Sequence, residues 1–303
     1  MTSFTAGGFQ HALDDACRIA GVSAEGAELL HLTVNAVFRL NSTPLVVRIA
    51  GPQLDIEDAT RIVVLARWLE DAGLPTVRLA ALPVDQPVIT STGMPATFWH
   101  YLPQHPGHEP TAAELADPLH RIHTLGPPPC PLRDWDPLSV ARARLGRAPD
   151  DIPPADLAFL HDLADRVADE LPRLPFVLPR TVIHGDAHIG NMLRAPEGHA
   201  VLCDLDFMCV GPPEWDLAPE LAGSLRYGRP WSGYQRLVDA YGFDPRSWVG
   251  APTLMNVHAL NVLTVVLPLL RTRPRLRAEW QRRIGTLRDG LRTGPWVSFR
   301  TVM

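Results

Sequence analysis

A chain of 303 residues can bury a full hydrophobic core and is long enough for two lobes. Its 46% hydrophobic and 20% charged residues are those of an ordinary globular protein, and a net charge of −5 gives no case for a nucleic-acid partner. The four cysteines, Cys17, Cys130, Cys203 and Cys209, have neither metal nor redox spacing, which predicts reduced core thiols in a cytoplasmic protein. No basic-then-apolar leader opens the chain, and the longest apolar run, Ala259 to Leu270, is too short for a bilayer and contains Pro268, so no membrane segment is expected. All 28 basic residues are arginine, so no lysine is available to bind a phosphate.

In chain order, Thr33 to Leu40 and Pro44 to Ala50 read as strands rich in Val, Leu, Ile and Phe, joined by the turn Asn41-Ser42-Thr43. Asp55 is a candidate N-cap for a helix whose Ile56, Ala59, Ile62, Val63, Ala66, Leu69 and Ala72 keep helical period until Gly73 and Pro75 stop it. Pro87 to Thr92 and Pro95 to Leu102 form a second hairpin about Thr92-Gly93. The first hundred residues thus predict a five-stranded sheet with one long helix. Phe98-Trp99-His100-Tyr101-Leu102 then runs into a Pro- and Gly-bearing stretch, the best hinge candidate.

Beyond it the chain reads as mostly helical. Thr111 and Glu114 make a capping box, and Leu157, Leu160, Leu163, Ala164, Val167 and Leu171 mark a further helix with Asp162, Asp165 and Asp169 on its outer side. Helices are expected at about 214–227, 232–241, 253–271 and 275–292, with Pro-rich connectors at 127–131 and 149–154. The basic tail, Arg271 to Arg300, is expected to be chiefly a solvated helix face.

Residues 181–206 carry the chemistry. His184-Gly185-Asp186 is followed by Asn191 and by a short hairpin, Met192–Arg194 with Ala200–Cys203 about Pro196-Glu197-Gly198, ending on Asp204 and Asp206. Phosphoryl transfer needs one carboxylate to orient a hydroxyl and take its proton, and an amide oxygen with a second carboxylate to hold magnesium on the phosphates. A kinase catalytic loop spaces its groups in this order. Magnesium suits such a site because it takes few protein ligands and keeps water and phosphate oxygens.

The H-G-D-x-x-x-x-N run, the L-C-D-L-D segment and Glu214-Trp215-Asp216-Leu217-Ala218 resemble the aminoglycoside phosphotransferase family, kinase-like enzymes that phosphorylate small molecules. The specific motifs cover about residues 181–220, and a looser similarity of element order covers nearly the whole chain. The resemblance implies an α+β, protein-kinase-like two-lobed fold. Residues 1–102 would be a nucleotide-binding N-lobe with a small antiparallel sheet, and 103–303 a mainly helical catalytic and substrate-binding C-lobe. It implies a small-molecule hydroxyl substrate, possible antibiotic acceptors among them, and ATP or GTP with Mg2+ as cofactors.

Carried over residue by residue, Asp186 would be the catalytic base, Asn191 and Asp204 the metal ligands, and Asp216 a buried brace for the loop. Arg48 stands on the third strand where family members usually place a phosphate-contacting basic residue. Thr33 and Asn35 lie in the loop over the phosphates. Trp99 and Tyr101 flank the hinge that would receive an adenine ring. The match departs from the family in three ways: Arg48 replaces lysine, its acidic partner is not evident on the first long helix, and the phosphate loop has no glycine. These departures support an alternative, a nucleotide-binding or regulatory pseudokinase without phosphotransfer activity.

Overall fold

The computed structural model describes residues 6–32, 35–51, 54–290 and 295–302. It begins with a helix, α1 (Ala6–Ala20), and then builds the sheet from β1 (Glu28–Leu32), β2 (Ala36–Arg39) and β3 (Leu45–Ile49). The long helix α2 (Ile56–Asp71) follows, then β4 (Val88–Ile89) and β5 (Pro95–His100). The five strands are ordered β1-β2-β3-β5-β4 and every pair is antiparallel. Side chains alternate across such a sheet. Leu45, Val47 and Ile49 of β3 point to one face, where with Ala96 and Phe98 they bury against Phe9, Leu13 and Cys17 of α1. Val46 and Arg48 therefore share the opposite face, with Val37 opposite Arg48 on β2 and Thr97 opposite it on β5.

The long helix α2 is present, and Asp55 caps it by accepting a hydrogen bond from the Asp58 N–H at 2.8 Å. Of the strand expected at Thr33 to Leu40, Ala36–Arg39 forms β2, whereas β1 at Glu28–Leu32 is not among the expected strands. The single-helix expectation is corrected by α1. Its apolar stripe of Phe9, Ala12, Leu13, Ala16, Cys17 and Ala20 is built largely from small residues, so its helical period is weak in sequence yet complete in burial.

The remainder is mainly helical: α3 (Ala116–Thr124), α4 (Ser139–Leu145) and α5 (Pro154–Glu170), followed by a short strand β6 (Thr181–Ile183). The expected hairpin is β7 (Met192–Arg194) with β8 (Ala200–Leu202), turning at Gly198 with φ +91°. A further strand, β9 (Cys209–Gly211), pairs antiparallel with β6. Then come α6 (Glu214–Arg226), α7 (Trp231–Tyr241), α8 (Ala251–Val265), α9 (Pro274–Arg288) and α10 (Phe299–Val302).

The Thr111–Glu114 capping box forms, but it opens a 3-10 turn that leads into α3. The segment Ala251–Leu269 is long and apolar enough by composition to cross a membrane, longer than the run seen in the sequence, yet 56% of it is buried within the protein. Leu254, Val257, Leu260 and Leu263 there join Trp280 and Ile284 of α9 in one hydrophobic core.

Much of the basic tail is the solvated face expected of it, with Arg271, Arg273, Arg275 and Arg288 exposed, but one of its arginines is not. Arg283 is fully buried, with its Nε on Glu279 at 2.9 Å, while Arg277 pairs with Asp151 and Arg288 with Asp156. Asp165 on α5 does lie at the surface, paired with Arg142.

The chain forms two compact units, neither continuous in sequence. One comprises residues 1–110, 125–132 and 190–208, and the other 111–124, 133–189 and 209–303. The β7–β8 hairpin thus belongs to the sheet unit.

Candidate active site

In the helical unit, β6 delivers the chain into the loop His184-Gly185-Asp186, and Gly185 takes φ +84°, a conformation that favours glycine. Asp216, in the first turn of α6 and 1% exposed, accepts hydrogen bonds from the His184 N–H at 2.7 Å and the Gly185 N–H at 2.8 Å. His123 adds its Nε2 to the same carboxylate at 3.0 Å and is itself held by the Tyr241 hydroxyl at 2.7 Å from its Nδ1. The Trp215 indole donates to the Gly185 carbonyl at 2.7 Å.

Glu220 stands one turn after Asp216, on the same side of the helix. It accepts from the Ile189 N–H at 3.0 Å and is held by Arg229 at 2.9 and 3.1 Å. One face of α6 thereby grips both ends of the loop. Glu220 was not singled out in the sequence, and its spacing from Asp216 was the available signal. Between these anchors, the Asp186 side chain stays 43% exposed, with its Oδ2 3.7 Å from His188 Nε2.

The sheet unit carries the other groups. Asn191 is buried, and its carbonyl accepts from the Cys203 N–H at 2.9 Å, so the end of β8 returns beside it. The next residue, Asp204, is exposed and has φ 63° and ψ 67°, the one positive φ found outside glycine among the described residues. Short polar residues tolerate this left-handed conformation at some cost, and such strain concentrates at functional sites.

Two features pin the hairpin within this unit. The Leu202 N–H and carbonyl pair with Pro75 and Val77 at 2.8 and 2.9 Å. Gln104 bonds both the N–H and the carbonyl of Arg194, at 2.8 and 3.1 Å.

Arg48 forms an ion pair with Asp206, and Asn35 hydrogen-bonds the same carboxylate while its Oδ1 accepts from the Gly51 N–H at 3.0 Å. The acidic partner missing from the first long helix is thus supplied by the hairpin. Burial raises the Asp206 carboxyl above its ordinary range and Asp204 adds to the rise, while Arg48 and Asn35 act against it. On α2, Asp58 pairs instead with Arg61.

Trp99 is largely buried, its indole donating to Thr97 Oγ1 at 2.8 Å. Tyr101 carries the Arg39 guanidinium over its ring at 4.6 Å. Thr33 lies outside the described residues. The sheet unit therefore gathers Arg48, Asn35, Asn191, Asp204 and Asp206, while Asp186 belongs to the helical unit.

The donor set fits a hard divalent cation. Among the described residues no three His, Cys, Asp or Glu side chains converge on one metal position, so Asn191 and Asp204 would leave the other positions to water and phosphate oxygens. The cysteines are free thiols, and burial pushes Cys17, Cys203 and Cys209 up to about 12, which suits inert thiols rather than soft ligands.

Among solved structures, the amicoumacin kinase hAmiN in complex with AMP-PNP, Ca2+ and Ami superposes with a TM-score of 0.68 at 13% identity, over 93% of each chain. A choline/ethanolamine kinase family protein from Mesorhizobium loti gives 0.62 at 20% identity over 94% of each chain. An aminoglycoside phosphotransferase from Streptomyces rimosus gives 0.57 at 19% identity, over 81% of this chain and 96% of its own. At these identities the likeness shows a kinase-like phosphotransferase fold. No curated protein matches the sequence significantly. The sequence also matches the phosphotransferase enzyme family over residues 28–249, most of its length and both parts of the candidate site. The chain belongs to that family, as the resemblance of its H-G-D loop implied.

Proposed function

We propose that this protein transfers the γ-phosphoryl group of ATP or GTP to a hydroxyl of a small molecule, with Asp186 as the general base. The carrying observation is the double anchoring of the H-G-D loop by Asp216 and Glu220, which leaves the Asp186 carboxylate exposed on a fixed backbone. Asp186 takes the acceptor's proton as its oxygen bonds to the γ-phosphorus. The bond from that phosphorus to the bridging oxygen breaks, and the nucleoside diphosphate leaves. Asn191 and Asp204 would hold Mg2+, which when bound neutralises charge on the phosphates. Arg48 is the cation available for phosphate on the sheet, held in position by Asp206. Residues 1–102, with Asn35, Thr33, Trp99 and Tyr101, would bind the nucleotide, and 103–303 would supply the base and the acceptor site.

Antibiotics stand among the candidate acceptors because amicoumacin and aminoglycoside kinases share the fold. A cytoplasmic location goes with this use of nucleotide and with the free thiols.

The test is ATP and GTP turnover by the purified chain with Mg2+ and a panel of alcohols and antibiotics, repeated with Asp186→Asn. A positioned base is worth roughly 10²–10⁴ in rate. Single-turnover phosphotransfer should therefore fall by that order while the melting temperature stays near that of the wild type. Unchanged chemistry in a well-folded D186N protein would remove the assignment. Magnesium-dependent nucleotide binding without any turnover would favour the pseudokinase reading, which the replacement of lysine by Arg48 supports.

A further inference from the structure

The helical unit contains a buried cation that has no counter-ion among the described residues. Arg226, at the end of α6, is 4% exposed and forms no ion pair with a carboxylate among the described residues. Its Nη1 donates to the Met255 carbonyl at 2.7 Å, its guanidinium lies 4.9 Å from the Trp296 ring centroid, and its Nε is buried without a hydrogen-bond partner. Met255 lies one turn before His258 on α8, and His258 Nδ1 is likewise buried and unpartnered. His258 is within electrostatic reach of Asp186 and His188 on the catalytic loop and of Arg226 and Arg283. A buried charge and a buried ring nitrogen left unsatisfied within electrostatic reach of each other are costly unless a partner arrives.

Most of the buried acids of this unit are already engaged, although Glu214 keeps its Oε2 unpartnered. Asp216 and Glu220 hold the loop, Glu214 accepts from the Val177 and Leu178 N–H groups at 2.7 and 2.9 Å through Oε1, and Glu279 pairs with both Arg282 and Arg283. A polycation reaching His258 would be repelled by Arg226 and Arg283, both of which act on that ring. An anionic group would complete both unsatisfied atoms, with Arg226 Nε donating and the neutral His258 ring donating from Nδ1.

We propose that Arg226 and His258 form an anion-binding subsite for the acceptor, so that the hydroxyl compound phosphorylated here carries a carboxylate or phosphate rather than amino groups. This rests on Asp186 being the base assigned above, and it sets the substrate class of that site.

The test is calorimetric binding to the full chain without nucleotide, at constant ionic strength. The probes are glycerate, gluconate and glycerol 3-phosphate, the neutral polyols glycerol and sorbitol, and the cations choline and kanamycin. The anionic members should bind at least about tenfold more tightly than their neutral or cationic counterparts. Loss of one charge-assisted hydrogen bond in H258A should weaken the anions by about tenfold or more. H258N, which keeps a polar atom near the Nδ1 position, should recover part of that loss, and melting curves verify that both variants fold.

Tighter binding of choline or kanamycin, equal anion binding by wild type and H258A, or no binding by any anion overturns the subsite. Turnover with ATP is measured separately. Binding of anions through His258 with no phosphorylation of any of them would refute phosphotransfer and leave the subsite standing. Asp186-dependent phosphorylation of the cations alone would do the reverse.

Discussion

At the scale of single residues, two carry measurable consequences. Asp204 adopts a left-handed backbone that a Cβ makes costly by roughly 1–2 kcal/mol. Asp204→Ala and Asp204→Gly should both lose Mg2+-dependent turnover. The alanine variant should also melt lower than the glycine variant, by about 1 kcal/mol in a paired denaturation experiment. Equal melting would mean that the backbone relaxes and stores no strain there.

His258 concerns pH. Burial, with Arg226 next in effect, pushes it down from an ordinary 6.5 to about 3, while Asp186 acts against the shift and His188 and Arg283 act with it. The unfolded chain therefore takes up a proton on His258 near pH 6.5 that the folded chain refuses until about pH 3. Its contribution to stability is full above pH 6.5 and declines as the pH falls through that window. Melting temperatures recorded from pH 7.5 to 5 should fall for wild type and fall less for H258A. A parallel decline in the two proteins would show that other groups control it.

At the scale of elements, α6 organises the H-G-D loop. Its second and third residues, Trp215 and Asp216, and Glu220 one turn on give the loop an indole donor and two carboxylate acceptors. Asp216→Asn keeps the size but replaces a charged acceptor of two N–H groups by a neutral amide that also presents donors. Hydrogen bonds to charged groups are worth about 1.5–3 kcal/mol each. The variant should lose about 2 kcal/mol in chemical denaturation, and hydrogen exchange at His184 and Gly185 should accelerate more than in α8. Unchanged protection at those two amides would show that the brace is dispensable.

The hairpin shows what an element supplies that a motif cannot. Asn191, Asp204 and Asp206 could be read as a group because the chain between them is short and turns at Gly198. That Asp206 should be the partner of Arg48, 158 residues earlier, required the hairpin to lie against the sheet.

At the scale of the whole molecule, the two units have separate cores. The sheet unit is built on Phe9, Leu13, Val47, Ile49 and Phe98, and the helical unit on Leu254, Leu260, Leu263, Trp280 and Ile284. Trp280 is fully buried and its indole donates to the Leu263 carbonyl at 2.9 Å. Trp280→Ala removes the ring and leaves that carbonyl short of a donor, at about 3–5 kcal/mol. Its thermal midpoint should drop by roughly 10 °C. A drop of only a degree or two would mean that α8 and α9 close over the space.

Much was decided by the sequence itself: the H-G-D loop with Asn191, Asp204 and Asp206, the W-D-L-A segment, the strands with Arg48 in the third, and α2 with its Asp55 cap. These rest on interactions within a few residues or on a repeat of two or 3.6 residues, both of which can be read along a chain. Tertiary structure decided the rest. α1 has a stripe of small residues that becomes apolar surface only when the sheet covers it. Arg283 and Arg226 look like tail and helix-end charges until burial removes their water. The partners Arg48–Asp206 and Asp216–His123 are separated by many tens of residues, and no local spacing links them. Such pairings are selected by the free energy of burying charge, which exists only once the chain has enclosed it.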